Sequence, residues 1–167
     1  TVVEESEIIF VAVPTPMNAD GSANLDIVRA VCEEIQEIDD SKYIVLRSTV
    51  PPGTSDELDV NFMPEFLTEK NWEEDFKNCD QWILGSTDPF LYEKMKRMFE
   101  LAYNGGTGSV INKQVIQCKP SEAEMIKHLK NVFLSVKVGF FNELESICSE
   151  LDICLLYTSP SPRDSCA

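Results

Sequence analysis

IIFVAVPTP, residues 8–16, sets six apolar residues in a row and then halts on two prolines with a threonine held between them. A run this short, without polar alternation and rich in β-branched residues, is the pattern of a strand buried on both faces. Proline has no amide hydrogen for a sheet ladder, so Pro14 and Pro16 close the strand. Beyond the turn material NADGS (18–22), residues 24–38 carry Leu25, Val28, Val31, Cys32 and Ile35 at helical spacing. YIVLRSTV (43–50) is a second strand, ended by Pro51, Pro52 and Gly53. A short helical piece over 54–59 leads to NFMPEFL (61–67), a third and shorter strand. QWILGS (81–86) is the fourth, and Asp88-Pro89 opens a helix to about Tyr103. Strands and helices alternating at these lengths predict an α/β fold with a mainly parallel sheet.

The remaining segments punctuate that pattern. Gly105, Gly106 and Gly108 turn the chain toward VINKQVIQC (110–118), a further strand candidate. The glycines follow a helix and precede a strand, the reverse of a phosphate loop, so they mark a helix end. After Pro120, Ser121 with Glu124 predicts a capping box. Ile126, Leu129, Phe133, Val136, Phe140, Leu144, Ile147 and Leu151 then repeat at helical spacing. At ~1.5 Å per residue, thirty residues span about 45 Å, more than one small domain needs. Ala123, Lys127, Asn131, Leu134, Val138 and Phe141 form a second stripe, so the helix is expected to pack on two sides. CLLYTSPSPRDSCA (154–167) abandons the periodicity and resembles a translated sequencing adaptor, a non-native tail set apart from the fold.

Composition bounds the function. At 167 residues the chain suffices for one good core and is short for two. A formal charge of -15 opposes nucleic acid as a partner, because phosphate contacts need clustered Lys and Arg. It leaves room for one local cation to serve a phosphate or oxyanion. No apolar run approaches the ~20 residues of a membrane span, and no basic start precedes an apolar signal region. The chain opens without Met, at TVVEESEIIF, as a piece cut from inside a domain would. Its six cysteines form no CxxC pair and no metal-ligand spacing with the single His128, which predicts reduced thiols, no metal and a cytoplasmic setting.

In open α/β sheets, ligands bind outside the carboxyl ends of the strands. This sequence places PTP after the first strand, STVPPGT after the second and PEFLTE after the third. Thr15, Thr49 and the pair Glu65 and Glu69 thereby converge on a candidate site. The Thr15 hydroxyl is suited to a ribose or phosphate, or it simply ends a proline-stiffened strand. Ser48 and Thr49 either contact a cofactor or bond the following turn. Glu65 and Glu69 flank Phe66-Leu67 and can divide acid and base duties, or both are solvated. Lys127 and Asn131, four apart on one helix, offer a cation and an amide to an oxygen that turns negative, or form a polar stripe.

Taken in order, FVAVPTPMNADGSANL (10–25), IVLRSTVPPGT (44–54), FMPEFLTE (62–69) and SEAEMIKHLKNVFLSVKVGFFNE (121–143) resemble the UDP-glucose 6-dehydrogenase family of nucleotide-sugar dehydrogenases, over residues 7–153. The resemblance implies the C-terminal half of a Rossmann-like NAD-binding domain over 1–119. It further implies a long interdomain helix over 120–153, belonging to a central dimerisation domain, in a homodimer or higher oligomer. Family members use two NAD and a cysteine thiohemiacetal and thioester to oxidise C6 of a UDP-sugar to the carboxylate, giving UDP-glucuronate from UDP-glucose. Carried over, Thr15 and Thr49 line the NAD site. Glu65, Phe66, Leu67, Thr68 and Glu69 hold the sugar nucleotide, with Glu69 also near NAD. Glu65 assists the water that hydrolyses the thioester, and Lys127 and Asn131 support the C6 oxygen, with Thr49 completing the catalytic set.

Departures accompany the likeness. Met63 stands where the family carries asparagine, and Lys70 where it carries glycine. No GxGxxG occurs, nor the GGxCxPKD-type setting of the nucleophilic cysteine, so the chain corresponds to the middle of the enzyme and is expected to be inactive alone. A GDP-mannose or UDP-N-acetylhexosamine dehydrogenase is the alternative within the same chemistry. A non-catalytic, acidic flavodoxin-like module is the alternative outside it, and it calls for acidic residues where VPTP stands.

Overall fold

The computed structural model describes residues 1–68, 70–79, 81–105 and 110–154. In chain order the elements are α1 (Val2–Glu5), β1 (Ile8–Val11), α2 (Asp26–Ile38), β2 (Tyr43–Leu46), α3 (Thr54–Glu57) and β3 (Asn61–Phe62). α4 (Trp72–Lys77), β4 (Trp82–Gly85), α5 (Pro89–Asn104), β5 (Val115–Cys118) and α6 (Pro120–Glu150) complete them. The sheet runs β1-β2-β3-β4-β5 and is parallel except between β3 and β4, which meet antiparallel through Phe62 and Gly85 alone. Each parallel neighbour is reached through a helix, as parallel pairing demands.

Alternation along β2 divides the core into two layers. Ile44 and Leu46 pack with Val28, Cys32 and Ile35 of α2, and with Phe62 and Ala123. Val45 joins Met63, Trp82 and Leu84, with Leu91, Met95 and Phe99 of α5. Trp82 stacks on Phe99 at 4.1 Å between ring centroids, and its indole N–H donates to the Asn112 carbonyl at 2.6 Å. Asp88 caps α5 by accepting from the N–H groups of Phe90 and Leu91. That helix ends at Asn104 just before Gly105, where the glycines were expected to end it; Gly106, Thr107 and Gly108 lie outside the described residues.

Three local expectations change. The third strand stops at Phe62 rather than running through PEFL, because Pro64 has no N–H to continue a ladder. α4 has no counterpart in the sequence analysis. Its six residues, WEEDFK, are too few for a helical period to emerge. The expected capping box of Ser121 and Glu124 gives way to a single back-bond two positions earlier. α6 begins at Pro120, and Glu122 accepts from the Lys119 backbone N–H at 2.8 Å. Glu124, freed from capping, points inward and is fully buried.

Gly85 allows α6 to enter so closely. A Cβ there would lie 2.8 Å from both the Ala123 Cβ and the Pro120 Cα. Both are fixed groups, so Gly85→Ala is expected to destabilise the chain by about 1–3 kcal/mol, the range for overpacking a core. Chemical denaturation read by Trp82 fluorescence would measure it.

The chain divides into two compact units, Thr1–Lys127 and a second beginning at His128. In the second, α6 exposes Leu129, Val132, Phe133, Val136, Phe140 and Ile147. Phe140 and Phe141 meet edge to face, 5.6 Å apart. Among the described residues no helix is long and apolar enough to cross a membrane. No three His, Cys, Asp or Glu side chains among them cluster as metal ligands. Among the described residues no disulfide joins Cys32, Cys79, Cys118, Cys148 or Cys154 to another. The tail assigned to an adaptor lies outside the described residues beyond Cys154.

Candidate functional site

β1, β2 and β3 run parallel side by side, so the segments that follow them emerge at one end of the sheet. The exit of β1 is tied to that of β2 at two points. Ser48 accepts from the Val13 N–H at 2.8 Å and donates to the Val13 carbonyl at 2.7 Å. Its hydroxyl proton is used there, which makes it a latch between the strand ends. Thr15 donates its hydroxyl to the Thr49 carbonyl at 2.9 Å. A hydroxyl has one proton and two lone pairs. Thr15 therefore keeps only acceptor capacity, which matches a ribose hydroxyl better than a phosphate oxygen. Thr15 and Thr49 are both half-buried.

The segment after β3 is anchored from either side. Glu65 takes an ion pair from Arg47, Nη2 to Oε2, at 3.3 Å. Thr68 donates both its N–H (2.8 Å) and its hydroxyl (2.6 Å) to the Asp75 carboxylate of α4. These two bonds hold the Asp75 carboxyl below the usual range. Thr68 is consequently left with acceptors only toward any ligand. Phe66 and Leu67 are half-buried. Glu69, expected near cofactor and sugar, lies outside the described residues.

Lys127 arrives from α6. It is only 6% exposed, and its ammonium reaches the Arg47 carbonyl at 3.5 Å, the outer limit of a hydrogen bond. Burial holds its pKa below the usual lysine value; the Glu65 carboxylate opposes that shift and the Arg47 guanidinium adds to it. Glu124, one turn earlier, accepts from the Gly53 N–H (2.6 Å), the Ser55 N–H (2.8 Å) and the Ser55 hydroxyl (2.7 Å). Those donors open α3, directly after STVPPG, so Glu124 sets α6 against the end of β2. Asn131, four residues beyond Lys127 in the same helix, is exposed and belongs to the second unit.

Two residues here went unassigned in the sequence analysis. Arg47 follows the apolar run of β2, and its type was its one signal. Glu124 carried a signal of the wrong kind, since its spacing from Ser121 matched a cap.

A mostly parallel sheet with helices between its strands, gathering threonines, a paired carboxylate and a buried ammonium beyond the ends of β1, β2 and β3, has the architecture of the Rossmann class. Comparison with known proteins narrows this. Residues 1–103 match the NAD binding domain of the UDP-glucose/GDP-mannose dehydrogenase family and residues 121–155 match its central domain. The chain belongs to that family. It is 32% identical to the UDP-glucose 6-dehydrogenase AglM of Haloferax volcanii, covering 86% of this chain and 37% of that protein. It is also 32% identical to TuaD, a UDP-glucose 6-dehydrogenase of Bacillus subtilis, covering 89% and 34% respectively. Among solved structures, a GDP-mannose dehydrogenase ternary complex from Pseudomonas aeruginosa superposes with a TM-score of 0.79 at 26% identity, covering 90% of this chain and 37% of that one. A UDP-glucose dehydrogenase from Pyrobaculum islandicum gives 0.77 at 29%, with the same coverages. The chain thus spans a little over a third of the length of such relatives. The flavodoxin-like alternative gives way to this family assignment.

Proposed function

We propose that this chain is the latter part of the NAD-binding domain (1–119) and the linking helix (120–153) of an NAD-dependent UDP-glucose 6-dehydrogenase. The enzyme oxidises the C6 alcohol of UDP-glucose to UDP-glucuronate, in two hydride transfers through a cysteine thioester. The observation that carries this is a nearly buried lysine beside a carboxylate, at the carboxyl ends of strands bearing Thr15 and Thr49. The acceptors at this end fit a dinucleotide, because the Thr15 lone pairs suit a ribose hydroxyl and Thr49 stands beside it. NAD, when bound, accepts the hydride from C6.

The chain's own residues do the rest. The Lys127 ammonium, fixed by a helix and shielded from water, stabilises the negative oxygen at C6 without reorganising. Burial also brings its amine form within easier reach, so it can exchange a proton with that oxygen. Glu65, with its side chain 38% exposed, is open to water and orients the molecule that hydrolyses the thioester. The family resemblance assigns Glu65, Phe66, Leu67, Thr68 and Glu69 to the sugar nucleotide and Glu69 also to NAD, and it assigns Asn131, four residues after Lys127, as a further amide donor. Cys32 is a poor candidate for the thioester, since burial pushes its thiol up to about 11 and thiolate is the nucleophile. The exposed apolar side chains of α6 beyond His128 favour a subunit interface, hence a homodimer or higher oligomer. A reducing cytoplasmic setting is assigned from the sequence, whose cysteines form no CxxC pair.

The test is NADH formation by the complete enzyme carrying this chain, with UDP-glucose, GDP-mannose and UDP-N-acetylglucosamine as parallel substrates. Oxidation of an alcohol to a carboxylate consumes one water and two NAD, so two NADH should form per UDP-glucose. Turnover of GDP-mannose instead would move the assignment to the branch of the Pseudomonas structure. Absence of NADH with all three sugars would end the dehydrogenase proposal.

A further inference from the structure

Arg47 contacts both charged groups of this site, Glu65 and Lys127. Its backbone is fixed, since its N–H donates to the Val11 carbonyl at 2.8 Å across the β1–β2 pair. Its side chain is 14% exposed and meets Glu65 beside a cavity of about 500 Å³ whose lining includes Phe10, Met63, Leu67, Trp72 and Phe76. Such apolar walls strengthen an ion pair by keeping water back. The Arg47 carbonyl meanwhile accepts from Lys127. One residue therefore holds the carboxylate with its side chain and the ammonium with its backbone.

Consider the site without that guanidinium. Glu65 and Lys127 attract each other, and a buried ammonium with one long hydrogen bond would draw in the nearest carboxylate. Lys127 would then be neutralised by Glu65, and neither would be available to a substrate. The guanidinium competes for Glu65 and repels Lys127. We propose that Arg47 is a positioning residue that keeps Glu65 and Lys127 apart, so that the carboxylate stays open to water and the ammonium stays free for an oxyanion. This rests on the dehydrogenase reading for what Glu65 and Lys127 act on, but the charge arrangement itself does not.

The groups that bear on the Lys127 charge are Glu65, after β3, and Arg47, after β2. Glu124, on its own helix, is engaged by Gly53 and Ser55. The two variants therefore predict opposite signs. Arg47→Met removes a repelling cation and releases Glu65, so the Lys127 titration should move up toward the usual lysine pKa of about 10.4. Glu65→Gln removes the attracting carboxylate, so it should move further down. Arg47→Lys keeps the cation and should stay near the parent chain. Loosened packing alone would relieve desolvation and move every variant up.

The measurement is NMR titration of lysine side chains in this chain, with the Lys127 resonance assigned by its loss in Lys127→Ala. An unchanged or lowered Lys127 pKa in Arg47→Met, or shifts of one sign in Arg47→Met and Glu65→Gln, would overturn the proposal. If Arg47→Met does not fold, Glu65→Gln decides alone, and no downward shift overturns it. In the complete enzyme, Arg47→Met should lower kcat by about tenfold with a smaller change in KM, and Arg47→Lys should recover part of the loss. Opposite titration shifts together with no dehydrogenase activity in the parent enzyme would leave the arrangement standing and remove the assigned chemistry.

Discussion

Lys127→Ala in the complete enzyme is expected to lower kcat by roughly two to three orders of magnitude, the effect of removing one preorganised oxyanion donor. UDP-glucose affinity should change much less. The charge matters most once the C6 oxygen turns negative, so its loss raises the transition state more than the bound ground state. The burial of Lys127 favours this split, because a 6% exposed ammonium has lost most of the water that would otherwise screen it. Steady-state kinetics with NADH absorbance distinguish the outcomes. A raised KM with unchanged kcat would make Lys127 a substrate-holding residue, and no change in either would remove it from the site. Asn131→Ala should act in the same direction and be non-additive with Lys127→Ala if both meet the same oxygen.

Glu124→Ala should lower the stability of this chain by about 3–5 kcal/mol. Two backbone N–H groups and a hydroxyl at the opening of α3 would lose their acceptor together, at about 1–3 kcal/mol for each buried donor left unsatisfied. A domain holds only about 5–15 kcal/mol in total, so the loss is a large share. Glu124→Gln retains one oxygen, but its amide NH2 must then face either the Gly53 N–H or the Ser55 donors. The expected loss is smaller, about 1–3 kcal/mol. Urea denaturation of the parent and both variants gives the order directly. A melting profile unaltered by Glu124→Ala would mean that α6 is held by Gly85 and Ala123 packing and not by this carboxylate. The variant also probes the site from a distance, since Lys127 lies one turn beyond Glu124 on the same buried face.

The apolar runs of β2 and β4 were legible because a strand buried on both faces needs unbroken hydrophobic sequence. β1 was legible from the same kind of run, but it is only half-buried, with Phe10 exposed, because it lies at the end of the strand order β1-β2-β3-β4-β5. Prolines at 14 and 16 marked the exit of β1, and those at 51 and 52 the exit of β2. β1, β2 and β3 run parallel, so the segments that carry Thr15, Thr49 and Glu65 could be grouped from sequence at one end of the sheet. α6 shows where periodicity stops being enough. Its apolar stripe of Leu129, Phe133, Val136 and Phe140 is exposed, whereas its buried positions in the first unit are Pro120, Ala123, Glu124 and Lys127. That set keeps the spacing of a core face while carrying two charges. Hydrophobicity could not single it out, because what makes the face buryable is supplied by other segments. Gly85 gives room for Ala123, the Gly53 and Ser55 donors meet Glu124, and the Arg47 carbonyl receives Lys127. Chain composition and spacing alone determined the strands and their order of appearance. Which face of the last helix turns inward, and that a lysine on it is buried, was decided only by partners up to eighty residues away in the sequence.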